Sequence, residues 1–227
     1  MNVLRDIPFH LDESDLSQKA HLSGLPEGLV RDLLTRALPL ARPKALYRVS
    51  YIGQRTDNSV EIDGTVFSSQ VLAANLRDVE RVFPYVATCG TELEPLEAGG
   101  GDLLTRYTLD AIKELALLAA RDRLLEHLKA SYGAVELSSM NPGSGNARLW
   151  PLGQQRPLFD LLGDVEGAIG VRLTPSFLML PNKTVSGILF PSEVHFESCQ
   201  LCTREACPRR RAPYSGTLAE SLASSHP

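Results

Sequence analysis

Two groups of residues in this chain of 227 residues have the types and spacing for chemistry. The first is Cys199, Cys202 and Cys207, three of the four cysteines, crowded into nine positions. Thiolates two residues apart can share one metal, because a turn brings both sulfurs to the same side. A third thiolate after a further four-residue gap completes three ligands. A cysteine followed directly by proline, as at Cys207 and Pro208, is also met in iron–sulfur proteins. Arg204, Arg209, Arg210 and Arg211 would offset the negative charge of a thiolate cluster. Cys89 is the natural fourth ligand if the loops meet, ranked ahead of His195. An iron–sulfur cluster, structural zinc and free thiols all remain open. The second group is the loop Asn141, Pro142, Gly143, Ser144 and Gly145. A small glycine-bracketed loop between regular elements lets backbone amides approach a ligand closely. It is also what a plain tight turn needs.

The elements that must position these groups follow from periodicity. The loop is fed by a short strand after Gly133, and a compact amphipathic helix follows it, ending at Leu161 and Leu162. A turn through Ile169 and Gly170 leads to a strand pair around Pro181. Upstream, Ala45–Ile52 is expected as one strand. Residues 60–67 alternate around Asp63-Gly64, a strong hairpin signal. Ser69–Leu76 is expected as a short helix, and Arg81–Thr88 as a strand running into Cys89. Asp102–Ala130 is the longest helix. Its expected buried stripe is Leu104, Ala111, Ile112, Leu115, Leu118 and Ala119; its expected solvated face is Arg106, Asp110, Lys113, Glu114 and Arg121. Residues 1–43 read as a separate N-terminal helical element, 44–214 as the core with the cysteine segment, and 215–227 as a disordered tail rich in Ser and Ala.

Composition narrows the function classes. The net charge of −4 argues against binding nucleic acid by phosphate neutralisation. No apolar run approaches a membrane span, and the N-terminus lacks the apolar core of a signal peptide. A cytoplasmic protein is expected, where crowded cysteines favour metal over disulfides.

The order of motifs carries a resemblance. Pro142-Gly143-Ser144 is followed by Leu161-Leu162, then by Ile169-Gly170-Val171-Arg172-Leu173-Thr174-Pro175-Ser176. Met179-Leu180-Pro181 then runs to Val185-Ser186-Gly187. This series resembles the activation domain of vitamin B12 (cobalamin)-dependent methionine synthase, and Tyr47–Gly53 and Val86–Glu94 resemble its short free-standing form. The match covers most of residues 44–214 and is tightest over 138–190.

The resemblance implies an α+β fold, with a mixed, mostly antiparallel curved sheet and packed helices. It implies reductive activation of a cobalamin-dependent methionine synthase or other corrinoid methyltransferase, with S-adenosylmethionine as methyl donor. In that chemistry inactive cob(II)alamin takes one electron, and methylation of the resulting cob(I)alamin pulls the uphill reduction forward. The chain has no Asp-x-His-x-x-Gly motif for B12, so the cobalamin is expected on a partner and the action in trans. An electron donor such as a flavodoxin or ferredoxin is implied as well. In the family an acidic residue and an Arg-x-x-Pro-Gly-Tyr loop hold S-adenosylmethionine. The carboxylate accepts from the ligand's amino group, and the arginine clamps the ligand's own carboxylate. Carried over, this gives Glu136, Asn141, Pro142, Gly143 and Ser144. Two positions depart from the pattern: Ser139 stands in place of the arginine and Ser144 in place of the tyrosine. Arg148 is the candidate replacement cation. These departures favour the alternative of a non-enzymatic docking or scaffold module with a structural metal.

Overall fold

The computed structural model describes the chain except residues 20–25, 100, 134–135, 145–148, 193–195, 208–209, 211 and 219–227. Its centre is an antiparallel sheet. The strands are β1 (Asn2–Leu4), β2 (Lys44–Tyr47), β3 (Ser50–Arg55), β4 (Ser59–Ile62), β5 (Thr65–Ser68), β6 (Arg81–Thr88), β7 (Leu137–Met140), β8 (Arg172–Leu173), β9 (Met179–Leu180) and β10 (Thr184–Pro191), of which β8 and β9 form a separate two-stranded sheet. The helices are α1 (Glu13–Lys19), α2 (Glu27–Ala37), α3 (Gln70–Asn75), α4 (Glu94–Ala98), α5 (Leu103–Tyr132), α6 (Gln155–Leu162) and α7 (Val165–Ile169). The expected α+β class is therefore met, and every described strand pair is antiparallel.

Strand β6 organises the sheet. One edge pairs first with β2 and then with β3, while the other pairs with β10 along six residue pairs. Strand β7 lies on the far edge of β10. β6 is buried on both faces: Val82 and Val86 enter one core cluster, whereas Phe83, Tyr85 and Ala87 enter another. That is why Arg81–Thr88 reads as an unbroken apolar run and not as an alternating one. The strand expected over Ala45–Ile52 is two strands, because the pairing fails opposite Pro84. Arg48 donates its N–H to the Pro84 carbonyl at 3.0 Å, but proline has no N–H to return.

The hairpin of β4 and β5 turns at Asp63 and Gly64, both with positive φ (46° and 82°), as a two-residue turn of this kind requires. Helix α3 begins at Ser69, whose hydroxyl accepts from the Leu72 N–H at 3.0 Å. Helix α5 begins at Asp102, whose carboxylate accepts from the Thr105 N–H at 2.8 Å and is thereby held below the usual carboxylate range. One side of α5 packs on the sheet through Ala120, Leu124 and Leu128. Its first half also packs on α1 and α2 through Ile112 and Leu115. This double contact corrects two expectations: Lys113 is buried at 2 % exposure, whereas Leu104 is 36 % exposed. β1 joins the sheet beside β2. The opposite sheet face is covered by α3, α6, α7 and Trp150.

Candidate functional site

The glycine loop lies where β7 stops, and Asn141 fixes it there. Ile188 pairs with Met140, so two further steps of the register would set Asn141 opposite Gly187 and Pro142 opposite Ser186. Proline has no N–H to offer that strand. The Asn141 side chain takes over, donating through Nδ2 to the Ser186 carbonyl at 2.7 Å and to the Tyr85 hydroxyl at 2.9 Å. Ser139 donates to Asn141 Oδ1 at 3.3 Å and lies 3.3 Å from the Tyr85 hydroxyl. Gly187 leaves the space this network needs. A Cβ there would stand 2.3 Å from the Met140 carbonyl oxygen and 2.4 Å from Asn141 Nδ2.

The turn itself is closed by its own backbone. The Gly143 N–H donates to the Trp150 carbonyl at 2.8 Å, and the Ser144 N–H to the Asn141 carbonyl at 3.1 Å. Gly143 has φ of 77°, and a Cβ on it would meet the Leu152 Cδ1 at 2.9 Å. Glycine is required here on both counts. Trp150 is buried and packs edge-on against Phe67. Between the loop, Trp150 and Phe196 is a cavity of about 10 Å3, room for one water at most. A larger groove of about 670 Å3 lies on the other side of Phe196, between the end of α3 and Gln200.

The expected ligand clamp is only partly present. Ser139, in the arginine position, is 3 % exposed and engaged in the network. Glu136 is exposed and pairs with Lys129 of α5 at 3.4 Å. Pro142 is buried, and Ser144 is exposed. Gly145 and Arg148 lie outside the described residues. The hinge thus suits close backbone approach, but the described residues do not form a cation-and-acid clamp for an amino acid.

The four cysteines do not come together. Cys89 follows β6 and donates its backbone N–H to Lys183, just before β10. It is wholly buried, and burial pushes its thiol up to about 12. The cysteine segment begins at the opposite end of the same strands, where Glu197 bridges Ser139, the partner of Leu189. Six residues of β10 separate the two places, about 20 Å at the rise of a strand. Cys89 is therefore a core thiol and no fourth ligand. Cys199, Cys202 and Cys207 are free and half-buried. Among the described residues no three Cys, His, Asp or Glu side chains are gathered as a metal would hold them. His195 lies outside the described residues.

The residues around the loop that sequence reading missed are Tyr85 and Gly187. Tyr85 is 56 positions from Asn141, with no local signal to link them. Gly187 sits in the Val185-Ser186-Gly187 run, where a glycine inside a strand already marks a close backbone approach.

An open antiparallel sheet with a hinge loop at the end of an edge strand and helices on both faces defines the class of fold. Among solved structures, the chain is similar to one described as the MetH reactivation domain bound to AdoHcy. The TM-score is 0.59 at 19 % identity, covering 82 % of this chain and 71 % of that one. The chain thus has the fold of a methionine synthase reactivation domain, as its motif order implied. No protein-family profile matches the chain, and no curated protein matches it in sequence. No helix among the described residues is long and apolar enough to cross a membrane.

Proposed function

We propose that this chain serves the reactivation of a cobalamin-dependent methionine synthase, or another corrinoid methyltransferase, acting in trans. The observation that supports the reading is the reactivation-domain fold over 82 % of the chain, with the Pro142-Gly143 hinge fastened at the end of β7. In this reading the cobalamin resides on the partner, a flavodoxin or ferredoxin supplies the electron, and the complex is cytoplasmic. S-adenosylmethionine is the methyl donor that the chemistry calls for. At the loop, Gly143 and its neighbours would receive it. The described residues lack the arginine that would clamp its carboxylate, so no transfer step is assigned to a side chain.

A second reading is a docking module that binds the corrinoid partner without handling the methyl donor. Ser139 and Ser144, in the places of arginine and tyrosine, favour it. One assay separates the two. A methionine synthase lacking its own reactivation domain, poised as cob(II)alamin, is mixed with this chain, a reduced flavodoxin and S-adenosylmethionine. Recovery of turnover that requires both this chain and S-adenosylmethionine supports reactivation. A change in the cob(II)alamin spectrum without recovery supports docking. No spectral change and no recovery overturns both.

A further inference from the structure

We propose that Cys199, Cys202 and Cys207 form a three-thiolate site for a soft metal centre, independent of Cys89. The proposal goes beyond the reactivation reading and does not need it. Three observations carry it. First, the turn Ser198–Leu201 ends with the Cys202 N–H donating to the Cys199 carbonyl at 3.2 Å. That is the turn by which a two-residue spacing brings two sulfurs to one side. Second, all three cysteine carbonyls accept from one residue. The Arg210 guanidinium donates to Cys199 at 3.1 Å, to Cys202 at 3.3 Å and also to Arg204, and the Arg210 N–H donates to Cys207 at 3.1 Å. The segment is therefore already curled around a single cation. Third, little apolar burial accompanies that curl. Leu201 is the last buried residue of the hydrophobic core; no described residue from Cys202 to Leu218 is buried, and Leu218 packs against the core in part.

A segment of this kind bears the entropy of ordering with little apolar burial in return. Metal binding is the usual remedy, because thiolate coordination contributes directly to folding. The thiols are not gathered in this conformation, and closing on a metal would move a stretch, Cys202 to Cys207, of which no residue is buried. Arg204 and Arg210 then sit against the thiolate charge, with Arg210 as the positioning residue. Zinc and an iron–sulfur centre share this chemistry.

The test uses the full chain, purified anaerobically and then loaded either with zinc alone or with ferric iron, sulfide and a thiol reductant. About one centre per chain is expected in one arm. Brown protein bleached by dithionite assigns iron–sulfur, and a colourless zinc complex assigns zinc; either supports the site. Cys202→Ser should weaken metal binding by more than about tenfold, and Arg210→Ala by about tenfold. Cys89→Ser should leave it unchanged. If Cys202→Ser fails to fold, alkylation of the unaltered chain decides: bound metal should protect Cys199, Cys202 and Cys207 together. Absence of metal in both arms, protection of only two of these thiols, or loss of metal in Cys89→Ser overturns the proposal.

Discussion

Replacing Asn141 by leucine tests the account of the hinge loop most directly. The side chains are close in size, so the change removes hydrogen bonds and little volume. Asn141 donates to the Ser186 carbonyl and the Tyr85 hydroxyl, and accepts from Ser139. Tyr85 and Ser139 keep each other, at 3.3 Å. The Ser186 carbonyl does not gain a substitute from Pro142, where the register would continue, because proline has no N–H. Each bond is worth about 1 kcal/mol net, and leaving a buried acceptor unmet adds about 1–3 kcal/mol. The expected loss is about 2–4 kcal/mol. For a chain of this length that lowers Tm by about 5–15 °C. Circular dichroism measures the global loss. Fluorescence reports the loop, because Trp150 is the chain's single tryptophan and its carbonyl receives the Gly143 N–H. Emission should shift to the red as the loop loosens. A variant within about 2 °C of the unaltered protein, with unchanged emission, would refute the claim that Asn141 holds the loop. Asn141→Asp adds a sign test. Its carboxylate would face the Ser186 carbonyl, so its folded pKa would be raised. The deficit should then be full at neutral pH and shrink as pH falls through that raised value.

Three further outcomes are expected. Gly143→Val places a branched side chain at φ of 77° and drives it into Leu152; S-adenosylhomocysteine binding, read by calorimetry, should be lost while the far-ultraviolet spectrum is kept, and unchanged affinity would exclude this loop as the ligand site. In metal-free protein at neutral pH, iodoacetamide should label Cys199, Cys202 and Cys207 but spare Cys89, whose thiol is buried and held protonated; labelling of Cys89 in the native state, seen by peptide mass, would contradict its placement. Burial lowers the Lys183 pKa, but hydrogen bonds to Asp110 at 2.8 Å and Glu114 at 3.1 Å outweigh it and raise the value overall. Its contribution is therefore complete below the ordinary lysine pKa of about 10.4 and fades as pH rises through the raised value, so the Tm gap between the unaltered chain and Lys183→Met should be constant up to about pH 10 and narrow above it, and a gap that stays constant there would count against the pairing.

Local signals and long-range ones were not equally legible in the sequence. The Asp63-Gly64 hairpin, the helix starts at Ser69 and Asp102 and the β6 strand are each set by chemistry within a few residues. All of these stand where periodicity and capping put them. Lys113 was misassigned because α5 is covered on two sides, by the sheet and by α1 and α2. A charge pattern on one helix cannot show a second neighbour. The break between β2 and β3 depends on a proline in a different strand. The Pro142-Gly143 loop could be found as a turn, but not its fastening, because Tyr85 and Ser186 reach it only through strand pairing. Cys89 failed as a ligand for the same reason. Its identity was visible, but its place at the other end of β10 was not.

The substitution at position 139 and the fastening of the loop are one structural fact. Ser138 and Ser139 are both buried at the end of β7. Ser138 accepts the Phe196 N–H at 2.9 Å, and Ser139 forms the backbone bridge to Glu197, which lays the start of the cysteine segment along β7. The Ser139 hydroxyl meanwhile completes the network of Tyr85 and Asn141. An arginine at 139 would need the space that this network fills, so a clamp and the present lock exclude one another. A ligand that used the amide of Gly143 would also have to displace its bond to the Trp150 carbonyl. Loop binding and loop locking therefore compete for the same donors. A change that weakens the lock, such as Asn141→Leu, should cost stability but raise the fraction of loops open to a ligand. The loop and the start of the cysteine segment are thus fastened to the same strand.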